Sequence, residues 1–220
     1  MKKYLFAIYF LFLISCECPP NIDTKQEIIP SEFSQICFIN LNSEFPKIDI
    51  YSKNLLIKEN LENTLNSETI YSKFPSGNNN LAIRSNNNII YNSFVNVQKE
   101  NFYSFFFYYS KNASRYKLLE DNIKDDNNAH LRIIHLSDIG KINIEITNEF
   151  PQPIEIYLNS EEFTNLIPFP SGLIHLKIVD YSNNELKFDK QIILQDKSIT
   201  NIILTGDSLH LNVFDVKTIY

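Results

Sequence analysis

The four residues Phe-Pro-Ser-Gly are written twice, as Phe74-Pro75-Ser76-Gly77 and Phe169-Pro170-Ser171-Gly172, in a 220-residue chain with only four glycines. The two copies start 95 residues apart, at positions 74 and 169. Sliding the sequence on itself by about that distance, with shifts of a residue or two, aligns much more. Ile36–Asn42 falls over Leu131–Ser137, and Lys47-Ile48-Asp49-Ile50 over Lys141-Ile142-Asn143-Ile144. Leu65-Asn66-Ser67-Glu68 meets Leu158-Asn159-Ser160-Glu161, Val95–Gln98 meets Ile192–Gln195, and Phe105–Phe107 meets Ile202–Leu204. A period this long is a domain rather than a solenoid unit, so whatever one half folds into, the other must also be able to form.

Within each copy the apolar residues alternate. Ile142, Ile144 and Ile146 are separated by Asn143 and Glu145, and Ile174, Leu176 and Ile178 by His175 and Lys177. Period two marks half-buried strands, and the breaks between runs carry Asn, Pro, Gly and Ser. Six or seven short strands per copy predict an all-β chain of two tandem antiparallel β-sandwiches, immunoglobulin-like or transthyretin-like. FPSG then reads as a structural turn. Pro75 and Pro170 preset one backbone angle, Gly77 and Gly172 permit positive φ, and Phe74 and Phe169 anchor the approach to the core. The expected divisions are a signal peptide over 1–15, a tether over 16–34, sandwiches over 35–121 and 131–220, and a linker over 122–130. Two sandwiches in a row are favoured over one shared sheet because each copy is long enough for its own core. The acidic run from Leu119 to Asn128 lacks the ligand spacing of a calcium loop and reads as a solvated connection.

The amino terminus gives an address. Lys2-Lys3, the apolar run Tyr4–Leu13 and Leu13-Ile14-Ser15-Cys16 form a signal sequence ending in a lipobox, and Glu17 and Pro19-Pro20 follow too soon for a membrane span. Cys16 is the expected lipidation site, where acyl chains would hold the protein on a bacterial envelope membrane, most simply the outer one. Losing Lys2 and Lys3 takes the formal charge from −6 to about −8. An acidic chain argues against nucleic acid as a partner. With Cys16 lipidated, only Cys18 and Cys37 remain, so disulfides are not the stabilising device; a Cys18–Cys37 bridge and a free tether thiol with a small core cysteine are both open readings.

The run Asn40-Leu41-Asn42-Ser43-Glu44-Phe45-Pro46-Lys47-Ile48-Asp49-Ile50-Tyr51 resembles the bacterial domain of unknown function family 4397, whose members typically read His-Ala-Ser-Pro-Asp-Ala-Pro-Ala-Val-Asp-Val-Tyr. Arg132–Asp138 looks like the same opening in the second copy. FPSG stands where that family has Leu-Pro-Ala-Gly, and Leu118–Asp121 matches its acidic segment. Asn40 replaces the family's His in the first copy, and Asn143 its Asp in the second. Neither copy keeps both, which argues that the motif shapes a loop between strands. The resemblance implies β-sandwich modules on secreted or surface proteins and brings no activity with it.

No nucleophile elbow, phosphate-binding glycine loop, His-Glu-x-x-His or Cys-x-x-Cys occurs. His130, His135, His175 and His210 read as exposed strand or loop residues, not metal ligands. Neither a cofactor nor catalysis is expected. The most unusual run is Phe102–Tyr109, aromatic on both faces where one face should be polar. It can pack against the other domain or a partner subunit, or offer Tyr103, Phe106 and Tyr108 as a platform for a sugar or a protein. Two function classes follow: a lipid-anchored recognition or adhesion module, and a structural accessory of an envelope complex.

Overall fold

The alternating runs become strands whose inward side chains meet across two stacked sheets in each copy. The computed structural model describes residues 32–63, 68–121, 128–148, 152–206 and 211–219. The first copy contains β1 (Phe33–Leu41), β2 (Lys47–Ser52), β3 (Leu55–Glu62), β4 (Glu68–Thr69), β5 (Ser72–Pro75), β6 (Gly77–Ser85), β7 (Asn88–Val97), β8 (Phe102–Ser110) and β9 (Ala113–Glu120). The second contains β10 (Ala129–His135), β11 (Ile142–Thr147), β12 (Ile154–Leu158), β13 (Ile167–Phe169), β14 (Gly172–Asp180), β15 (Leu186–Leu194), β16 (Ser198–Gly206) and β17 (Leu211–Ile219). The chain is all-β, a duplicated β-sandwich. Sheets β5-β1-β8-β9 and β3-β2-β6-β7 build the first copy, and β13-β10-β16-β17 and β12-β11-β14-β15 repeat that order in the second.

Eight strands per copy recur, against an expectation of six or seven. The FPSG strands β5 and β13 are short, proline-bearing and at sheet edges, so they leave almost no periodic signal. One pairing in each copy is parallel, β1 with β8 and β10 with β16, so the inner sheets are mixed rather than purely antiparallel.

The first sandwich fills its interior with rings, including Phe38, Phe74, Tyr103, Phe105 and Phe107. Its counterpart uses mostly Ile and Leu, with Phe169. A third buried cluster lies between the two: Cys37, Ile39, Leu41, Phe106, Tyr108 and Leu119 on one side, and Ile134, Leu136, Ile203 and Val216 on the other. Two inner sheets therefore pack face to face, and residues 31–220 form one compact unit. Strand β4 reaches across to pair in parallel with β17 of the other copy.

These contacts correct the expected linker. Leu119 and Asp121 are buried, and Ala129 and His130 already belong to β10, because apolar residues on both faces of β8 and β10 need a cover on each side. Residues 122–127 lie outside the described residues. The first sandwich also begins at Phe33, before the expected residue 35.

FPSG is the corner at which the chain leaves the inner sheet and enters the outer one. Phe74 and Phe169 plug the two cores while Gly77 and Gly172 turn the backbone at φ +83° and +138°. Elsewhere, Asn does what Gly usually does. The two-residue hairpins Lys53-Asn54, Asn86-Asn87 and Lys111-Asn112 all hold positive φ at both positions, the type I′ turn whose twist suits antiparallel strands.

Candidate functional site

Phe106 and Tyr108, two of the three residues expected on an exposed platform, are buried in the seam between the sandwiches, and Tyr103 is buried in the first core. Strand alternation sends Tyr103, Phe105 and Phe107 inward, and Ser104, Phe106 and Tyr108 toward β10 and β16. The second face of the aromatic strand is covered by the other copy, so no platform stands open there. Burial pushes the Tyr108 hydroxyl up to about 12. Cys16 and Cys18 lie outside the described residues; Cys37 is buried, with Thr218 Oγ1 at 3.7 Å from its sulfur.

The seam holds a buried polar cluster. The Asp121 carboxylate accepts from Tyr71 Oη at 2.8 Å and Ser104 Oγ at 2.7 Å, and pairs with the Arg132 guanidinium. Burial first, then the Asp121 charge, raises the Tyr71 pKa. At the rim, Glu161 of the second copy meets Arg115 at 3.2 Å and Lys111 at 3.5 Å. Ser110 Oγ donates to Asp138 at 2.8 Å. Beside Arg132 lies a cleft of about 500 Å³ lined by Glu120, His130 and Phe163 among others. Tyr71 and Arg132 thus both turn to the Asp121 carboxylate, while Arg132 Nη1 is buried with no hydrogen-bond partner among the described residues.

His130 and His135 are buried, contrary to the expectation of exposed residues. Their strand is covered on both faces, so its polar side chains are enclosed with the apolar ones. His135 Nε2 lies 2.9 Å from Gly140 O, and Nδ1 lies 3.2 Å from Ser137 Oγ. In the equivalent place of the first copy, Asn40 Nδ2 donates to Phe45 O at 2.9 Å, and its Oδ1 accepts from Asn42 N at 3.0 Å. Each side chain ties down the loop to the next strand. Asp49 Oδ1 accepts from Asn60 N at 2.8 Å, holding the irregular stretch where Asn60 has positive φ. The motif positions in this chain therefore shape backbone. Among the described residues no group of three or more His, Cys, Asp or Glu side chains is placed to hold a metal ion.

The exposed aromatic cluster is in the second copy. Tyr157 on β12 and Tyr181 just after β14 are 45% and 53% exposed, with ring centroids 5.8 Å apart and planes at 87°. Lys141 Nζ sits in the angle between them, 5.0 Å from one centroid and 4.4 Å from the other. Tyr181 N donates to Lys141 O at 2.9 Å, fixing the two loops together. Tyr157 Oη donates to Glu155 Oε2 at 3.0 Å, a bond that raises the phenol pKa. Asn143 lies directly across the ladder from Tyr157. Rings, a cation, a carboxylate and an amide thus share one end of an outer sheet. The sequence carried one sign of this cluster: Tyr157 interrupts the apolar phase Ile154, Ile156, Leu158 at a position that alternation turns to solvent.

The model of the family described as "Domain of unknown function (DUF4397)" matches residues 34–145, the first copy and the opening strands of the second. No curated protein matches the sequence. Among solved structures, the chain is similar to a candidate cell adhesion protein from Bacteroides uniformis ATCC 8492 at 11% identity, over 86% of this chain and 97% of that one, with a TM-score of 0.31. It is also similar to the family 26 carbohydrate-binding module CBMbc of Eubacterium rectale, in complex with maltoheptaose. There the identity is 11%, the coverage 83% and 96%, and the TM-score 0.26.

Proposed function

The chain belongs to the DUF4397 family, and from that premise we propose that it is a non-catalytic recognition module of the bacterial cell envelope that binds a glycan through the Tyr157–Tyr181 end of its second sandwich. The single supporting observation is the exposed perpendicular tyrosine pair braced by Lys141. A sugar ring presents C–H groups that lie against an aromatic face and hydroxyls that need donors and acceptors around it. A Tyr offers both an apolar body and a hydroxyl, and Lys141 and Glu155 supply further polar groups alongside. Lipid on Cys16 is the proposed tether to the membrane, with the sandwiches as the part that meets the ligand.

The test is an array of bacterial and host polysaccharides probed with the full chain, repeated with Tyr157→Ala/Tyr181→Ala. Both rings are half exposed, so the variant is expected to melt with the wild type and to lose at least tenfold in affinity. Glycan binding that survives unchanged in the variant removes this surface from the proposal. Cys16→Ala is expected to move the protein from the membrane to the soluble fraction.

A further inference from the structure

We propose that the open edge of β7 is a self-pairing surface, through which two copies of this chain join their outer sheets antiparallel with the dyad on Phe94. Among the described residues the order β3-β2-β6-β7 leaves one side of β7 without a partner strand. Edge strands are normally protected by charge, proline or irregularity, because their free N–H and C=O groups template pairing. The other outer-sheet edges obey this. Strand β3 carries Lys58, Glu59 and Glu62, β12 carries Glu155, and β15 carries Lys187, Asp189 and Lys190. The ten residues of β7, NIIYNSFVNV, hold no charge and no proline. Its bulge lies near one end, opposite Ile83/Arg84, and leaves Tyr91–Val97 in regular register.

The occupant follows from the pattern on that strand. Asn92, Phe94 and Asn96 share the outward face, and all three are exposed, Phe94 by 76%. On the outward face Asn92 and Asn96 stand symmetrically about Phe94, while Ser93 and Val95 between them lie on the opposite face. Antiparallel pairing about Phe94 sets Phe94 against its own copy and Asn92 against Asn96 on each side. Rings bury one another between two amide pairs, and no like charges meet, although the chain as a whole is acidic. An isologous contact requires this self-complementarity.

The backbone has the matching phase. Asn80 stands opposite Phe94, and its carbonyl accepts from Lys53 N at 3.2 Å on the side away from β7. Asn80 and Phe94 are therefore a non-hydrogen-bonded pair, which turns the Phe94 N–H and C=O outward to the open edge. Tyr116 Oη donates to that carbonyl at 3.3 Å, and its second lone pair remains for a strand partner. Two facing Phe94 residues can exchange both bonds, about 5.5 Å apart at Cα. A contact limited to one strand edge is small, so the dimer is a weak one.

Cysteine cross-linking in membranes of cells expressing the full chain tests this, in a Cys18→Ser background. Phe94→Cys is expected to give a covalent dimer under mild oxidation, since paired Cα atoms about 5.5 Å apart suit a disulfide. Ile193→Cys, on the charged edge β15 and 59% exposed, is expected to stay at least tenfold less cross-linked. Asn92→Cys and Asn96→Cys should cross-link to each other more than to themselves. In sedimentation of the detergent-solubilised chain, Phe94→Lys should abolish a concentration-dependent dimer without changing the melting temperature. Equal cross-linking at Phe94 and Ile193, a different register, capture of another protein in place of a second copy, or a wild type that is monomeric throughout would each overturn the proposal.

Discussion

The two sandwiches have the same strand order and the same corners, yet their interiors are filled differently. The first packs five large rings where its counterpart sets mainly Ile and Leu. At the corner, Asn79 donates to Pro75 O at 2.7 Å and Gly77 O at 2.9 Å, and accepts from Ser52 Oγ at 3.4 Å. The equivalent position in the second copy is Ile174, buried in the aliphatic core. A loop pinned by Asn40 in one copy is pinned by His135 in the other. The comparison teaches that alternation and corners fix this architecture, while the chemistry that fills it can change provided the volume is filled and each loop and corner is still held. What the halves do not share is the seam, where each contributes the part the other lacks.

The largest expected effect comes from breaking that seam. Asp121 and Arg132 come from different copies and are both almost wholly buried. Asp121→Ala strands the guanidinium and should destabilise by about 3–5 kcal/mol, whereas replacing both partners with Leu and Met should recover most of the loss. Urea unfolding reads both. We also expect the single transition of the wild type to split in Asp121→Ala, as the copies cease to support each other. A loss under about 1 kcal/mol would show that the apolar seam alone holds the halves together.

Much of this comparison was legible in the sequence, and the part that was not has a physical cause. The repeat exposed the duplication, and alternation exposed the strands, because a sheet buries every second residue. The seam was hidden because an aromatic strand with two apolar faces looks the same whether its second face meets a ligand or another sheet. A better clue was Arg132, which sits in an otherwise buried strand of both-sided apolarity and so demands an acid that only the folded chain can bring to it. Tyr157 gives little signal in the sequence because one exposed ring is common; its value depends on Tyr181 and Lys141, which arrive from separate loops. Strand β7 carried its signal openly, as a run of ten uncharged residues, but only the sheet order makes it an edge.

A smaller effect separates the two corners. Asn79→Ala should cost about 1–3 kcal/mol, since it leaves carbonyls of the turn unmatched in the first copy, where the second copy never depended on such a bond. Both glycines have open space where a Cβ would go, nothing lying within 4 Å, so their replacement tests backbone conformation alone. Gly77→Ala and Gly172→Ala should each cost about 1–2 kcal/mol, with Gly172 the dearer because φ +138° lies further from the left-handed region that an L residue can reach. Equal melting temperatures for Gly172→Ala and the wild type would mean the second corner relaxes freely.

The smallest effect is one of pH, and it belongs to the second copy alone. Burial holds the His135 pKa below its ordinary value of 6.5, against a weaker upward pull from the Gly140 and Ile139 carbonyls and Glu162. The unfolded chain therefore takes up a proton on this residue at a higher pH than the folded chain does. Stability from His135 is complete above about pH 6.5 and falls as the pH drops from there through the lower folded-state pKa, by at most about 1.4 kcal/mol per pH unit. Asn40, its counterpart, does not titrate. His135→Asn transfers the first copy's solution to the second, with an amide able to reach the same loop carbonyls. Urea midpoints between pH 7.5 and 5 should fall less in this variant than in the wild type, while at pH 7.5 the two lie close. An identical pH slope in both would place the acid sensitivity of the fold elsewhere and leave the Asn-for-His exchange a matter of shape alone.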